Sequence, residues 1–169
     1  MSTDGLPLPM ERTLLFNKQV DQKTIGDITQ KILDINADDA YLKKLYKING
    51  LKYKRQPIEI YIDSYGGYVY QILGLVSVMQ NSKTPIHKRF AHKHSTPLYH
   101  QVSGGTIGTV KEMKESVEQS SKLQDKLEKL TLENTNISKK QLKKVYKRKL
   151  DWYLESDEAL ELGVVDEII

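Results

Sequence analysis

Apolar positions along the chain recur at two spacings. "RTLLFNKQV" (12–20) reads as a short strand, and "PIEIYIDS" (57–64) is the clearest one, with three isoleucines alternating through 58–62. Between them, Asp21 is placed to cap a helix that sets Ile25, Ile28, Ile32 and Leu33 on one face. "ADDAYLKKLYKINGLKYKRQ" (37–56) is charged and tyrosine-rich, and reads as a surface excursion, helical at 38–48 and broken at Asn49-Gly50. After the tight turn "YGGY" comes "VYQILGLVSVMQNS", apolar on most of its surface and so expected to be buried.

The second half follows the same grammar. "TPI" (84–86) begins another strand, and "RFAHKHSTPLYHQ" (89–101) reads as two extended pieces divided by Ser95-Thr96-Pro97. A glycine-rich loop, "VSGGTIG", leads into a long amphipathic helix. Its stripe of Val110, Met113, Val117, Leu123, Leu127 and Leu130 is interrupted by Ser120 and Ser121. Helices near 138–149 and 156–162 precede a last strand in "GVVDEII". Strand, glycine turn, buried helix and strand, repeated, is an α/β pattern. Residues 1–11 are polar and proline-containing, a flexible arm before a single domain over 12–169.

Composition narrows the classes. An apolar fraction of 38% with 28% charged residues suits a globular chain. No apolar run approaches the roughly 18 residues of a membrane span, and the first residues carry no signal-peptide pattern, so a cytoplasmic location is expected, with no membrane partner. With no cysteine, disulfides, thiolate metal sites and a cysteine nucleophile drop out. Net charge is +4, concentrated at 43–55 and 139–149. Leu142, Val145 and Tyr146 sit at helical spacing within the second cluster, which reads as a solvated helix face; no nucleic-acid motif accompanies it, and no nucleic-acid partner is expected.

Three stretches could carry chemistry. Gly66 and Gly67 join a strand to a helix, where glycine serves either close packing or the approach of an anion to helix-start amides. All four histidines fall within 87–100. His92 and His94 alternate on one side of a presumed strand, but a metal would need a third ligand and none stands nearby, so no metal site is expected. His100 ends an extended piece, a place suited to a general base. Asp151, beside Trp152 and Tyr153, is either a helix cap or an acid that orients a histidine.

Together these stretches resemble the Clp protease proteolytic subunit family, ClpP. "IEIYIDSYGGYVYQILGLVSVMQNSKTPIH" is similar to the family's strand, Ser-x-Gly-Gly turn and buried helix. "KRFAHKHSTPLYHQVSGGTIG" is similar to its stretch ending in the catalytic His-Gln and glycine-rich handle strand. "LDWYLESDEALELGVVDEII" resembles its closing Asp-aromatic signature. With "RTLLFNKQVDQKTIGDITQKILDIN" at the start, the resemblance covers about 12–169, in order. It implies a crotonase-like α/β fold: a spiral of strand–helix units with a protruding helical handle over about 106–135. It also implies a cytoplasmic serine endopeptidase, a homo-oligomer of stacked heptameric rings, fed unfolded protein by an AAA+ unfoldase. ATP would be used only by that partner, and this chain would need no cofactor. His100 would be the general base, Asp151 its orienting acid, and Gly66 and Gly67 the amides for oxyanion and substrate backbone.

The departures bear on function. In the family a strand, glycine turn and buried helix carrying the nucleophilic serine follow the "TPIH" strand; here His87 runs directly into Lys88. The fold would then lack one inner strand and helix. Neither Ser64, within the turn, nor Ser103, close after His100, replaces that serine. Asp63 and Tyr65 also stand in place of the usual turn residues, and 38–56 is longer and more basic than usual. Two readings follow: a ClpP-like serine endopeptidase subunit whose serine is absent from this chain, or a catalytically inactive homologue serving as a structural or regulatory subunit.

Overall fold

The computed structural model describes residues 6–86, 88–148 and 151–169, so residues 1–5, His87 and residues 149–150 lie outside it. The suspected seam at His87 and the start of the arm therefore fall outside the described residues. The chain divides into two compact units, 1–87 and 88–169, and the division falls at that same junction.

In the first unit, β1 (Thr13–Phe16) pairs in parallel with β2 (Glu59–Ile62), Leu14 beside Ile60 and Phe16 beside Ile62. Between them runs α1 (Gln22–Ile48), started by Asp21 as predicted: its carboxylate accepts the Thr24 amide, and the Thr24 hydroxyl accepts the Asp21 amide. The stretch 38–48 is helical as expected, but it continues α1 rather than forming a separate surface excursion, since no glycine or proline interrupts 27–48. The buried stripe runs through Ile25, Ile28, Ile32, Ile35, Asp39 and Leu42. The inward Asp39 disguises the stripe's continuation as a surface segment. Leu33 is a correction as well: it lies off this stripe and is 49% exposed. The helix ends where expected, at Asn49, with Gly50 at φ 71°.

α2 (Val69–Asn81) closes the unit against α1 and the same sheet face. It was expected to be buried, yet among its residues only Leu75 is buried; Ile72, Val78 and Met79 are half-buried and Tyr70 is exposed. A single helix and two strands offer it too little cover. Residues 84–86 form no regular strand, although the Pro85 carbonyl accepts the Ile58 amide at 2.9 Å.

The polar centre of this unit is Asp39, fully buried. Arg12 donates to its two oxygens at 2.6 and 3.2 Å, Tyr53 donates at 2.6 Å, and the Thr84 hydroxyl donates as well. Burial alone would raise the Asp39 pKa, but the hydrogen bonds from Arg12, Thr84 and Tyr53 outweigh it and hold the carboxyl below its usual value. Burial, reinforced by Asp39, pushes the Tyr53 phenol up to about 12.

The second unit holds two small ladders. β3 (Phe90–Ala91) pairs in parallel with β6 (Glu167–Ile168), locked by an Arg89 fork on Asp166, at 2.8 Å from Nη2 and 3.2 Å from Nε. β4 (Leu98–Tyr99) pairs antiparallel with β5 (Trp152–Tyr153). Ser95-Thr96-Pro97 divides the extended pieces as predicted, but residues 92–95 form a turn closed by the Ser95 amide on the His92 carbonyl at 2.8 Å. His92 and His94 thus do not alternate along a strand. α3 (Val110–Asn134) starts at a Thr109–Glu112 capping box. Its first half leaves Val110 and Val117 exposed; past Ser120 and Ser121 the stripe turns inward at Leu123. α4 (Lys139–Arg148) buries Leu142 and Val145 and leaves its lysines in solvent, as its periodicity predicts. α5 (Ser156–Glu161) seats Ala159 beside Leu154, Ala91 and Val165. Gly163, at φ 63°, ends it.

Candidate functional site

His100 and Asp151 stand at the ends of β4 and β5. The ladder matches Leu98 with Tyr153 and Tyr99 with Trp152, so one further step of the same register sets His100 opposite Asp151. The Leu154 amide donates to the Pro97 carbonyl at 2.8 Å and extends the ladder from the other end. Below the pair, Leu154 is 2% exposed, and the Trp152 indole donates to Glu158 at 3.2 Å. A buried leucine and a tethered tryptophan thus fix the strand that carries the acid. The sequence, which placed Asp151 between helices, did not reveal this pairing.

The two side chains do not hydrogen-bond to each other among the described residues. Both are exposed, and His100 Nδ1 lies 2.7 Å from the Gln101 carbonyl. A carbonyl only accepts, so this contact requires the proton on Nδ1 and leaves Nε2 as the basic nitrogen. That is the tautomer a general base uses; here Gln101, rather than Asp151, selects it.

Gly66 and Gly67 belong to the first unit. Both have positive φ, 84° and 150°. The Gly66 amide is not free to donate to an outside acceptor, because it donates to Ser64 Oγ at 3.1 Å, while Ser64 in turn donates to the Lys18 carbonyl at 2.6 Å. Gly67 bridges Val20: the Val20 amide donates to the Gly66 carbonyl at 2.8 Å, and the Tyr68 amide to the Val20 carbonyl at 2.9 Å. A Cβ at Gly67 would stand 2.2 Å from the Val20 oxygen, so packing alone demands this glycine. Gly67 is exposed, and its amide has no hydrogen-bond partner among the described residues.

Ser64 is thereby committed to the turn, both donating and accepting. Ser103 is exposed, with no hydrogen bond to His100 among the described residues. No group of three His, Cys, Asp or Glu that could hold a metal exists among the described residues. No helix among them is long and apolar enough to cross a membrane.

A recess of about 620 Å3 begins at Gln101, next to His100 in the chain, and is lined also by Gly104, Gln124, Asp125, Glu128 and Tyr146 among others. Sequence reading missed it. The available clue was polar residues at i, i+4 and i+7 (Gln124, Glu128, Thr131) running beside the apolar stripe of α3.

Known proteins resemble the chain along nearly its whole length. The family model described as Clp protease matches residues 86–169, the stretch that carries both His100 and Asp151. The ATP-dependent Clp protease proteolytic subunit 1 of Prochlorococcus marinus strain MIT 9312 is 26% identical over 180 positions, covering 94% of this chain and 84% of that protein. The protein of the same name from strain NATL2A is 25% identical, with 94% and 83% covered. The second unit, which sets His100 and Asp151 at facing ladder ends, thus resembles the Clp protease family over residues 86–169, and the chain is similar along most of its length to Clp protease proteolytic subunits.

Proposed function

We propose that this chain is a ClpP-like subunit that keeps the base and acid positions of a serine peptidase but does not itself cleave peptide bonds, and acts as a structural or regulatory subunit. The observation that carries this reading is the engagement of Ser64. Its hydroxyl donates its one proton to the Lys18 carbonyl and accepts the Gly66 amide, so that proton is directed away from any catalytic base. The alignments with the Prochlorococcus marinus proteins support it: at 180 and 184 positions they exceed the chain's 169 residues, so those relatives carry positions without a counterpart here. We take the missing positions to include the serine-bearing strand, turn and helix, excised at the His87–Lys88 junction.

By this resemblance the chain would assemble into a ring, alone or among active subunits, in the company of an AAA+ unfoldase and unfolded protein. His100, Asp151 and the Gly67 amide would then be a vestigial base, acid and oxyanion donor, with Gly66 shaping the turn between Ser64 and Gly67.

Treatment of the purified chain with a fluorophosphonate probe and a fluorogenic peptide tests this. No covalent label and no hydrolysis above background are expected, and His100→Ala should change neither. Labelling that His100→Ala abolishes would make the chain an active serine peptidase and overturn the proposal.

A further inference from the structure

The recess that begins at Gln101, next to His100 in the chain, is lined by residues carrying buried polar atoms without a hydrogen-bond partner among the described residues. Glu128 Oε1, Gln124 Nε2 and the hydroxyls of Tyr99 and Tyr146 are all buried without a hydrogen-bond partner among the described residues. Gln124 as a residue is only 7% exposed. Its orientation is fixed, because Oε1 accepts the Val102 amide at 2.7 Å and leaves Nε2 as a donor. Native proteins pair nearly all such atoms, and three of these, on Gln124, Glu128 and Tyr146, line one cavity and mark a candidate ligand site.

The lining also has a sign. Asp125 and Glu128 contribute two carboxylates against one ammonium, Lys143, and Lys143 pairs with neither within 4 Å among the described residues. An unpaired carboxylate oxygen out of water is costly until a cation reaches it. The phenols fit the same occupant. Burial raises the pKa of the Tyr99 and Tyr146 phenols, with Glu128 adding to both, so each stays protonated and offers a neutral oxygen as acceptor. Glu128 Oε1 and the Tyr146 phenol oxygen form an acceptor pair in the lining for a group rich in N–H donors, with Tyr99 behind them. The Gln124 amide nitrogen is left to donate to a carbonyl of the same ligand.

We propose that this recess is a subsite for the cationic side chain of an Arg or Lys residue in a peptide, with Glu128 as its anionic anchor and Gln124 holding the peptide carbonyl. Gln101 joins the recess to His100, so the bound side chain belongs to a peptide passing the base position. The peptide part rests on the reading of this chain as a ClpP-like subunit; recognition of the cation does not.

The test is direct binding, which needs no nucleophile. N-acetyl-arginine amide is titrated into the full chain against its neutral isostere N-acetyl-citrulline amide, following the ring signals of Tyr99 and Tyr146 by NMR. Saturable binding of the arginine compound is expected, at least tenfold tighter than the citrulline one. Glu128→Gln should remove that preference, while Glu133→Gln, on an exposed pair with Lys129, should not. Tyr146→Phe, which deletes one oxygen, should weaken binding of the arginine compound severalfold and serves if Glu128→Gln fails to fold. Equal affinity for the two compounds, no saturable binding, or a preference that survives Glu128→Gln would overturn the assignment. Binding without hydrolysis leaves both proposals standing, and hydrolysis with no arginine preference sinks the non-cleaving reading and this one by separate results.

Discussion

Asp39→Ala should be among the most damaging single substitutions in the first unit. The carboxylate is fully buried and receives hydrogen bonds from Arg12, Tyr53 and Thr84, while the Arg12 side chain is itself only 10% exposed. Removing the acceptor leaves a nearly buried guanidinium without its counter-ion and the Tyr53 and Thr84 hydroxyls without their acceptor, while Arg12 keeps only its bonds to the Gln56 carbonyl and the Tyr53 hydroxyl among the described residues. Breaking a buried ion pair from one side costs about 3–5 kcal/mol, against a typical domain stability of about 5–15 kcal/mol. Urea denaturation read by hydrogen exchange at the α1 amides isolates this unit, where a whole-chain signal could mix two transitions. Asp34→Ala is the control: Asp34 is exposed and bonded only to Gln30, so a change under about 0.5 kcal/mol is expected. The acid limb supplies an independent check. Because the folded Asp39 pKa is depressed, its stabilisation is complete above the unfolded value of about 3.9 and disappears as pH falls through the folded one. The native chain should therefore lose this contribution below about pH 4, and the variant should lack that part of the slope. A loss within about 1 kcal/mol of the control, or an unchanged acid limb, would show that the network is not a stabilising element.

Two further substitutions probe the elements that carry the candidate residues. Gly67→Ala meets the Val20 carbonyl at 2.2 Å with φ at 150°, and should destabilise the turn by about 1–3 kcal/mol or more, seen as faster exchange of the Val20 and Tyr68 amides. Gly74→Ala, in α2 with nothing within 4 Å of the added carbon, should instead stabilise by up to about 1 kcal/mol. Leu154→Ala empties a position that is 2% exposed and should cost about 2–5 kcal/mol in urea denaturation, loosening the β4–β5 ladder that sets His100 opposite Asp151.

Local rules read well from the sequence wherever a residue type has one physical use. Asp21 capped its helix, Asn49-Gly50 ended it, Pro97 divided two extended pieces, and Leu142 with Val145 marked the inner face of α4. What failed depended on partners distant in the chain. Asp39 looked like surface because its three donors lie 14 to 45 residues away. The pairing of β4 with β5 joins residues more than fifty positions apart through strands of two residues, too short to leave a period. The orphaned atoms of the recess were hidden for the same reason: Gln124 and Glu128 on a charged helix look solvated until the 101–106 loop and α4 cover them.

The sheet of the first unit bears on why, on the proposed reading, a lone hydroxyl would not restore a peptidase. Parallel strands are normally covered on both faces. Here Leu14, Phe16 and Ile58 pack under α1 and α2, while on the opposite face Leu15 is 62% and Tyr61 47% exposed. A nucleophilic serine owes its reactivity to a strained strand-to-helix turn that holds the hydroxyl against the base and the helix start against the oxyanion. A strand and helix of that kind would also add to the β1–β2 sheet and cover apolar surface that now faces solvent. Cover and nucleophile would therefore come from one segment, and an exposed serine such as Ser103 supplies neither the held geometry nor the packing. On the proposed reading the half-covered sheet and a His100 without a nucleophile would have one cause, and the chain would bind rather than cut.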